Sequence, residues 1–539
     1  MQILPEDVDV DVAVIGLGPV GALVANLLGR HGIKVLVVEK STEMFMAPRA
    51  IALDNEALRI LQMCGIEEGE FQTISIPTVR MHSPWFGQFS GANTAGQVDG
   101  HPKLVTFFQP ELESLLRRRL SLYPSVQCAL GVELNDLAEV EGGVEMSLTT
   151  VANDNSFRVK ARYVVGADGA NSKVRQLLGK DFSGQTFAED WLVVDAKNVP
   201  DPIDHVEFIC DHRRPTPHMV APGGRQRWEF KLRPGETKKD FESPESIKRL
   251  LSPWIKDADI EIERVAVYRF HARLVDAFSK GRVFLAGDAA HITPPFVGQG
   301  LVAGMRDAAN LCWKLAWVIQ GRGDESLLAS YNAERRPHAK AMIGMAKLMG
   351  RLVMPSNQWL AFATHGLMVS LNKIAPLRRH FEELEVKPKN IFRRGLMVVG
   401  ACSAHVKRGA LFPQGWIRQG LQERAVLSDQ AIGDHLVMIG LGVDPMADLD
   451  PTHISQWHDA GGKFIQIDPR GCQVNGSLTE RWEDLTGTLV PLAAPPGWVV
   501  VVRPDRTVMH DGSAKDVKRL IAQTLAVLSP NRALASMAR

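Results

Sequence analysis

Three glycines in Gly16-Leu17-Gly18-Pro19-Val20-Gly21 have the spacing of a turn that must come close to a phosphate. Gly16 permits the tight turn, Gly18 lets the backbone approach a pyrophosphate, and Gly21 lets a helix lie close on a strand. Pro19 sits where the helix would begin, and the helix N-terminus would offer oriented N–H groups to the anion. Glu39 follows 18 residues after Gly21, with Lys40 beside it. A carboxylate at that distance can accept from an adenosine ribose, and its charge disfavours a 2′-phosphate. The chemistry on offer is dinucleotide binding, and the motif alone leaves FAD and NAD equally open. Two later aspartates end strand-like runs, Asp168 in Gly166-Ala167-Asp168-Gly169 and Asp288 in Leu285-Ala286-Gly287-Asp288. In an open α/β sheet the carboxyl end of a strand is where ligands bind, so Asp288 could accept from ligand hydroxyls.

The elements needed to position these groups are present. Residues 8–15, VDVDVAVI, are rich in β-branched residues and read as a strand. Val20, Leu23, Val24, Leu27 and Leu28 recur at helical spacing, and Lys34 to Val38 read as a second buried strand. The composition is that of a globular chain, with 45% hydrophobic and 23% charged residues in 539. At about 150 residues per domain the length suggests two to four domains. Lys+Arg 62 against Asp+Glu 61 leaves a net charge of +1, so no global field holds nucleic acid or an anionic membrane. The start is acidic, without the pattern of a signal peptide, and no window of about 18 apolar residues occurs. A cytoplasmic protein with no membrane partner is expected. Cys64, Cys128, Cys210, Cys312, Cys402 and Cys472 are scattered, with no CxxC and no zinc-like spacing. Reduced thiols and no metal are the reading.

The glycine fingerprint, the Asp168-Gly169 turn and the Gly287-Asp288 segment occur in the order found in the class A flavoprotein aromatic hydroxylases, and the chain resembles that family over residues 8–345. Pro48-Arg49-Ala50-Ile51, Phe108-Gln109-Pro110, Met305-Arg306-Asp307-Ala308 and Trp313-Lys314-Leu315-Ala316 share the family's flavour. The resemblance implies FAD as cofactor, with NADH or NADPH as co-substrate and no second nucleotide domain. By resemblance Gly287 and Asp288 hold the ribityl chain, and the loop carrying Pro295, Gly298 and Gly300 faces the isoalloxazine together with the helix that follows. The positive end of that helix would stabilise a reduced flavin. Arg49 would lie between FAD and substrate, Gln109 beside the ribityl chain, and Asp168 in a turn that helps hold FAD and is implicated in nicotinamide binding. Bland readings stay open: a solvated arginine at 49, helix capping at Gln109, solvated charge at Arg162, Lys173 and Arg175. Asp307 reads as structural.

The implied fold is α/β: a Rossmann-like FAD-binding domain with an inserted antiparallel substrate-binding sheet and a C-terminal thioredoxin-like domain. The expected divisions are 1–185 and 271–345 for the FAD-binding domain, 186–270 for the substrate sheet, 346–400 for a helical connection and 401–539 for the last domain. That last domain lacks CxxC, so packing or oligomerisation suits it better than redox exchange, and a homodimer stays open. The sheet segment clusters cations, among them His212, Arg214 and Arg227, which would suit a substrate carboxylate. The implied activity is monooxygenation: NAD(P)H reduces FAD, O2 adds to give a C4a-hydroperoxide, and one oxygen passes to a ring carbon ortho or para to a phenolic hydroxyl. A phenolic aromatic acid is the expected small-molecule substrate. Another phenol, a resorcinol, a heteroaromatic acid, or a non-catalytic flavin- or NAD-binding protein are the alternatives. The catalytic base stays unassigned, with His271 and Tyr268 as weak candidates.

Overall fold

The computed structural model describes residues 8–256, 258–355, 357–383, 387–400, 405–420, 423–472 and 479–529. Cys402 lies outside them. The chain divides into two compact units.

The first unit comprises Met1–Ala25, Leu36–Arg306 and Ala339–Pro388 and holds two large sheets. In one, the neighbours run Val126–Leu130, Val35–Glu39, Val8–Ile15, Ser156–Gly166, Gly143–Thr150, Val132–Val140, with Val283–Leu285 beside Ser156–Gly166. Val8–Ile15 and Val283–Leu285 both pair in parallel with Ser156–Gly166. The three segments that carry the fingerprint and the two aspartates therefore end side by side at one edge of the sheet. Of the apolar positions spaced along the fingerprint helix, Pro19–Arg30, Leu23, Val24 and Leu28 are buried completely and Leu27 nearly so, while Val20 is half-buried.

The second sheet has the order His291–Ile292, Glu261–Val275, Phe182–Lys197, Arg225–Lys231, Thr216–Ala221, Val206–Ile209, Thr78–Ser83, Gly87–Asn93. Its long strands start before and end after the expected 186–270 segment. It also recruits Thr78–Ser83, which pairs in parallel with Val206–Ile209. One face of this sheet is apolar: Leu192, Val194, Ala196, Trp228, Phe230 and Leu232 pack on Ile247, Leu251 and Ile255 of the helix Pro244–Ile255. Ser243 starts that helix by accepting from the Ser246 N–H. Strand alternation gives the other face Trp191, Asp195, Arg227, Glu229, Arg264, Tyr268 and Phe270.

The second unit comprises Asn26–Val35, Asp307–His338 and Lys389–Arg539. Its sheet places Leu436–Leu441 between Gly462–Asp468 (parallel) and Trp498–Val502 (antiparallel), followed by Val508–Ser513 and the helix Val517–Leu528. These match the strand, turn, strand and helix read from sequence. Asp307 is buried and accepts from Arg335, consistent with a structural role. Among the described residues no cysteine is paired, no group of side chains could hold a metal, and no helix is long and apolar enough to cross a membrane.

Candidate active site

At the fingerprint turn the backbone leaves no room for side chains except where a ligand would come. Gly16 has φ +101°, and a Cβ there would lie 2.6 Å from the Ala167 carbonyl oxygen. A Cβ at Gly21 would lie 1.9 Å from the Gly16 carbonyl oxygen, so helix and strand touch backbone to backbone. Around a Cβ at Gly18 there is nothing within 4 Å. Open space over Gly18, facing the first turn of a helix, suits a pyrophosphate. Glu39 closes the turn: its carboxylate accepts from the Leu17 N–H at 2.8 Å and from Ser41 N–H at 3.0 Å. Lys40 beside it is exposed.

The two aspartates lie in enclosed surroundings with acceptor capacity to spare. Asp288, in the tight turn Gly287–Ala289, has no hydrogen-bond or ion-pair partner among the described residues. Burial pushes its pKa up, against the pull of His291 and Arg49. Asp168 accepts through Oδ2 from Val174 N–H at 3.1 Å, while its Oδ1 is buried with no hydrogen-bond partner among the described residues. Its pKa is also raised by burial. Buried acceptors left open in this way fit the hydroxyl-rich ribityl chain of FAD, because an unsatisfied buried carboxylate is otherwise costly. Arg175 ties the two turns together, donating to the Ala289 and Ala170 carbonyls at 3.2 and 2.9 Å and stacking 3.8 Å over Phe182. It is a buried brace, where the sequence suggested a solvated cation.

Gln109 does not cap its helix, whose N-cap is Phe108. Its Oε1 instead accepts from the Arg49 and Ala50 N–H groups, both at 2.8 Å, and so holds the Pro48–Ala50 segment. The Arg49 side chain is exposed, its guanidinium 5.3 Å from the Phe45 ring. The loop Pro295–Gly300 is held from behind. Gly298 turns it with φ +61°, and Gln299 accepts from Arg306 at 2.9 Å. Arg306 also donates to Asp54 and Glu56, both at 2.6 Å, and Lys387 donates to Asp54 at 2.6 Å. Burial alone would raise the Asp54 pKa, but Arg306 and Lys387 hold it well below the usual carboxylate range. A Cβ at Gly300 would find no neighbour closer than 3.9 Å, so the start of the Gly300–Ile319 helix is open to a flat ligand.

The polar face of the second sheet meets these segments. Trp191 stacks on Phe270 at 5.4 Å, and Phe296 from the loop packs edge-on to both at 5.8 and 6.0 Å. Arg227 forms a bidentate pair with Asp195 at 2.6 and 3.0 Å, and reaches the Arg49 and Pro48 carbonyls at 3.4 and 3.5 Å. Arg264 donates to Asp195 at 3.1 Å, to the Pro48 carbonyl and to the Tyr268 hydroxyl. Of the three cations read as substrate contacts, only Arg227 lies on this face, already paired. Arg214 pairs with Glu236 at 2.5 Å, and His212 stacks on Trp85 at 5.7 Å with Asp211 3.5 Å away. Tyr268 is on the face. His271 alternates with Phe270 and projects from the opposite side, half-exposed beside Thr186 at 3.1 Å. Asp195, Glu229 and Arg264 were not read as site residues in the sequence, and Arg306 stood out only within a segment of the family's flavour, with nothing to indicate its partners Asp54 and Glu56.

A family model described as an FAD binding domain matches residues 9–346, and one described as the HcaD C-terminal domain matches residues 409–527. A 3-(3-hydroxy-phenyl)propionate/3-hydroxycinnamic acid hydroxylase of Escherichia coli O81 (strain ED1a) is 35% identical over 532 residues, 97% of this chain and 95% of that protein. Its namesake in Shigella sonnei (strain Ss046) is 37% identical over 508 residues, 93% of this chain and 91% of that one. Among solved structures, the flavin-dependent monooxygenase PieE in complex with FAD and substrate superposes with TM-score 0.78 at 21% identity, covering 97% of this chain and 100% of that one. OxyS anhydrotetracycline hydroxylase from Streptomyces rimosus gives 0.75 at 22% identity, covering 97% and 99%. At those identities the structures speak for the fold, and the sequence matches speak for the family. The chain belongs to the class A flavoprotein aromatic hydroxylases, the single-component FAD-dependent monooxygenases.

Proposed function

We propose that this enzyme hydroxylates a phenolic aromatic acid of the 3-(3-hydroxyphenyl)propionate kind, ortho or para to its hydroxyl, with O2 and NADH or NADPH. The observation that carries the reading is the near full-length similarity to hydroxylases bearing that substrate in their names. Bound FAD supplies the redox chemistry, taking electrons from NAD(P)H and delivering one oxygen atom of O2. In this reading Gly16, Gly18, Pro19, Gly21, Glu39 and Lys40 hold the adenosine diphosphate half, and Asp288, Asp168 and Gln109 the ribityl side. Pro295, Gly298 and Gly300 leave a flat surface for the ring, and the Trp191, Phe270 and Phe296 cluster excludes water from it. Two guanidiniums, Arg227 and Arg264, meet on Asp195, and their planar donors are the groups on this face that would orient an anionic substrate.

A plain phenol is the second reading. It is favoured by the pairing of Arg214 and Arg227 with the protein's own carboxylates. A cytoplasmic location follows from the need for NAD(P)H. The C-terminal sheet, with its parallel pair, antiparallel hairpin and final helix, supports a thioredoxin-like arrangement without redox chemistry. The test is NAD(P)H oxidation across phenols and phenolic acids, with product analysis. Catechol or hydroquinone products from phenolic acids support the reading. Equal or better kcat/KM for alkylphenols that lack the carboxylate would refute the carboxylate preference while leaving the flavin chemistry intact.

A further inference from the structure

Glu229 is an acidic group of the polar sheet face that no described residue satisfies. It pairs with Val193 in the register of Phe182–Lys197 and Arg225–Lys231, and alternation puts it on the side of Arg227, Asp195 and Trp191. Its neighbours Trp228 and Phe230 point the other way, into the apolar core. Arg227 and Arg264 on this face reach the Pro48–Arg49 backbone, and Trp191 and Phe270 pack on Phe296 of the Pro295–Val297 turn. Glu229 thus lies on the face that closes over the candidate flavin segments. Among the described residues its carboxylate has no hydrogen-bond or ion-pair partner. Asp195, by contrast, takes both arginines.

We propose that Glu229 is the catalytic base that takes the phenolic proton, an assignment that rests on the hydroxylase reading above. The titratable groups on its side of the sheet are Asp195 on one strand, Arg227 and Lys231 on its own, the latter paired with Glu189, and Arg264 and Tyr268 on the third. Burial and Asp195 push its pKa up, and Arg227 and Arg264 oppose them. A carboxylate whose proton affinity is raised toward that of the phenol is the more effective base. Tyr268 already receives a hydrogen bond from Arg264, and His271 faces away. In the step, the phenol O–H bond breaks and the proton passes to a Glu229 oxygen. The electron pair left on the phenolate drives a ring carbon ortho or para to it onto the oxygen atom delivered from O2. The proton that ring carbon loses on rearomatisation passes to the second oxygen atom. The second oxygen atom leaves as water with the electrons of NAD(P)H, and Glu229 returns its proton to the product oxygen.

The test uses FAD-loaded wild type, Glu229→Gln and Glu229→Asp. Without NAD(P)H, 4-nitrophenol is titrated in at a pH where the free probe is ionised, and proton exchange is read from calorimetry in two buffers. Wild type should take up about one proton per phenolate bound and Glu229→Gln about none. In turnover, Glu229→Gln should lose about a hundredfold or more in kcat for hydroxylation with KM little changed, and Glu229→Asp should recover part of it. The acid limb of the kcat/KM profile should vanish in Glu229→Gln. Equal proton uptake in wild type and Glu229→Gln, or an unchanged kcat, overturns the assignment. A wild type that hydroxylates no phenol overturns instead the functional reading beneath it.

Discussion

Gly18→Val separates cofactor binding from folding. A side chain at Gly18 meets nothing within 4 Å, so the apoprotein should accept valine with a change within about 1 kcal/mol, part of it favourable through the unfolded chain. With FAD, the same side chain fills the space where the pyrophosphate approaches the helix N-terminus. Charge-assisted hydrogen bonds are each worth about 1.5–3 kcal/mol, so losing two weakens FAD by about 3–6 kcal/mol, or roughly 10²- to 10⁴-fold in Kd. Gly21→Ala is the contrast. Its Cβ would sit 1.9 Å from the Gly16 carbonyl oxygen, so helix and strand must part and the apoprotein itself should lose about 1–3 kcal/mol or more. Thermal unfolding of apoprotein by circular dichroism and quenching of flavin fluorescence on titration give the two numbers. Stoichiometric FAD in Gly18→Val, or a loss of apoprotein stability as large as in Gly21→Ala, would refute the placement of the pyrophosphate.

Asp288→Ala should weaken FAD by about 1–3 kcal/mol, measured by the same titration, because a buried acceptor for the ribityl chain is gone. Burial raises the Asp288 pKa, so its ionised form is penalised and its contribution to stability is lost as pH rises through the raised value. Asp288→Asn should therefore raise the apoprotein Tm at neutral pH while FAD binding falls. In the second unit, Glu334 accepts from Lys314 at 2.7 Å, Asn310 at 2.7 Å and Arg503 at 2.7 and 3.0 Å, all buried. Glu334→Gln leaves the buried Lys314 without a carboxylate partner, while Arg503 keeps Asp505, and should cost about 3–5 kcal/mol in chemical denaturation. Lys314→Met leaves Glu334 with Arg503 and Asn310 and should be near neutral. Burial pushes the Lys314 pKa down from 10.5 to about 8, so wild-type stability should climb with pH across that window, and Lys314→Met should flatten the climb.

The phosphate turn was legible because it is local: strand, three glycines, amphipathic helix and acid lie within one βαβ stretch and each obeys a short-range rule. The strand ends at Asp168 and Asp288 were legible for the same reason. The Arg306 network was not, since Arg306 and Asp54 are 252 residues apart and no local pattern joins them. Thr78–Ser83 escaped the substrate sheet because a parallel pairing with Val206–Ile209 leaves no hairpin signature. Glu229 was hidden by its own strand. Arg227, Glu229 and Lys231 alternate with Trp228, Phe230 and Leu232, which reads as a solvent-facing side. In the structure Arg227 is 2% exposed, because the Pro48–Arg49 segment and Asp195 cover that face. The same blindness made Arg214 and His212 look available to substrate, when each has a carboxylate of its own nearby.

The most direct measurement supplies FAD-loaded enzyme with NADH or NADPH, a 3-hydroxyphenyl carboxylic acid and ¹⁸O2, and reads the aromatic product by mass spectrometry. The expected result is one ¹⁸O atom in a new ring hydroxyl for each NAD(P)H consumed. NAD(P)H oxidised to hydrogen peroxide with no ring product across the phenol panel, or a product oxygen drawn from water, would contradict the assignment of this chain as a phenolic hydroxylase.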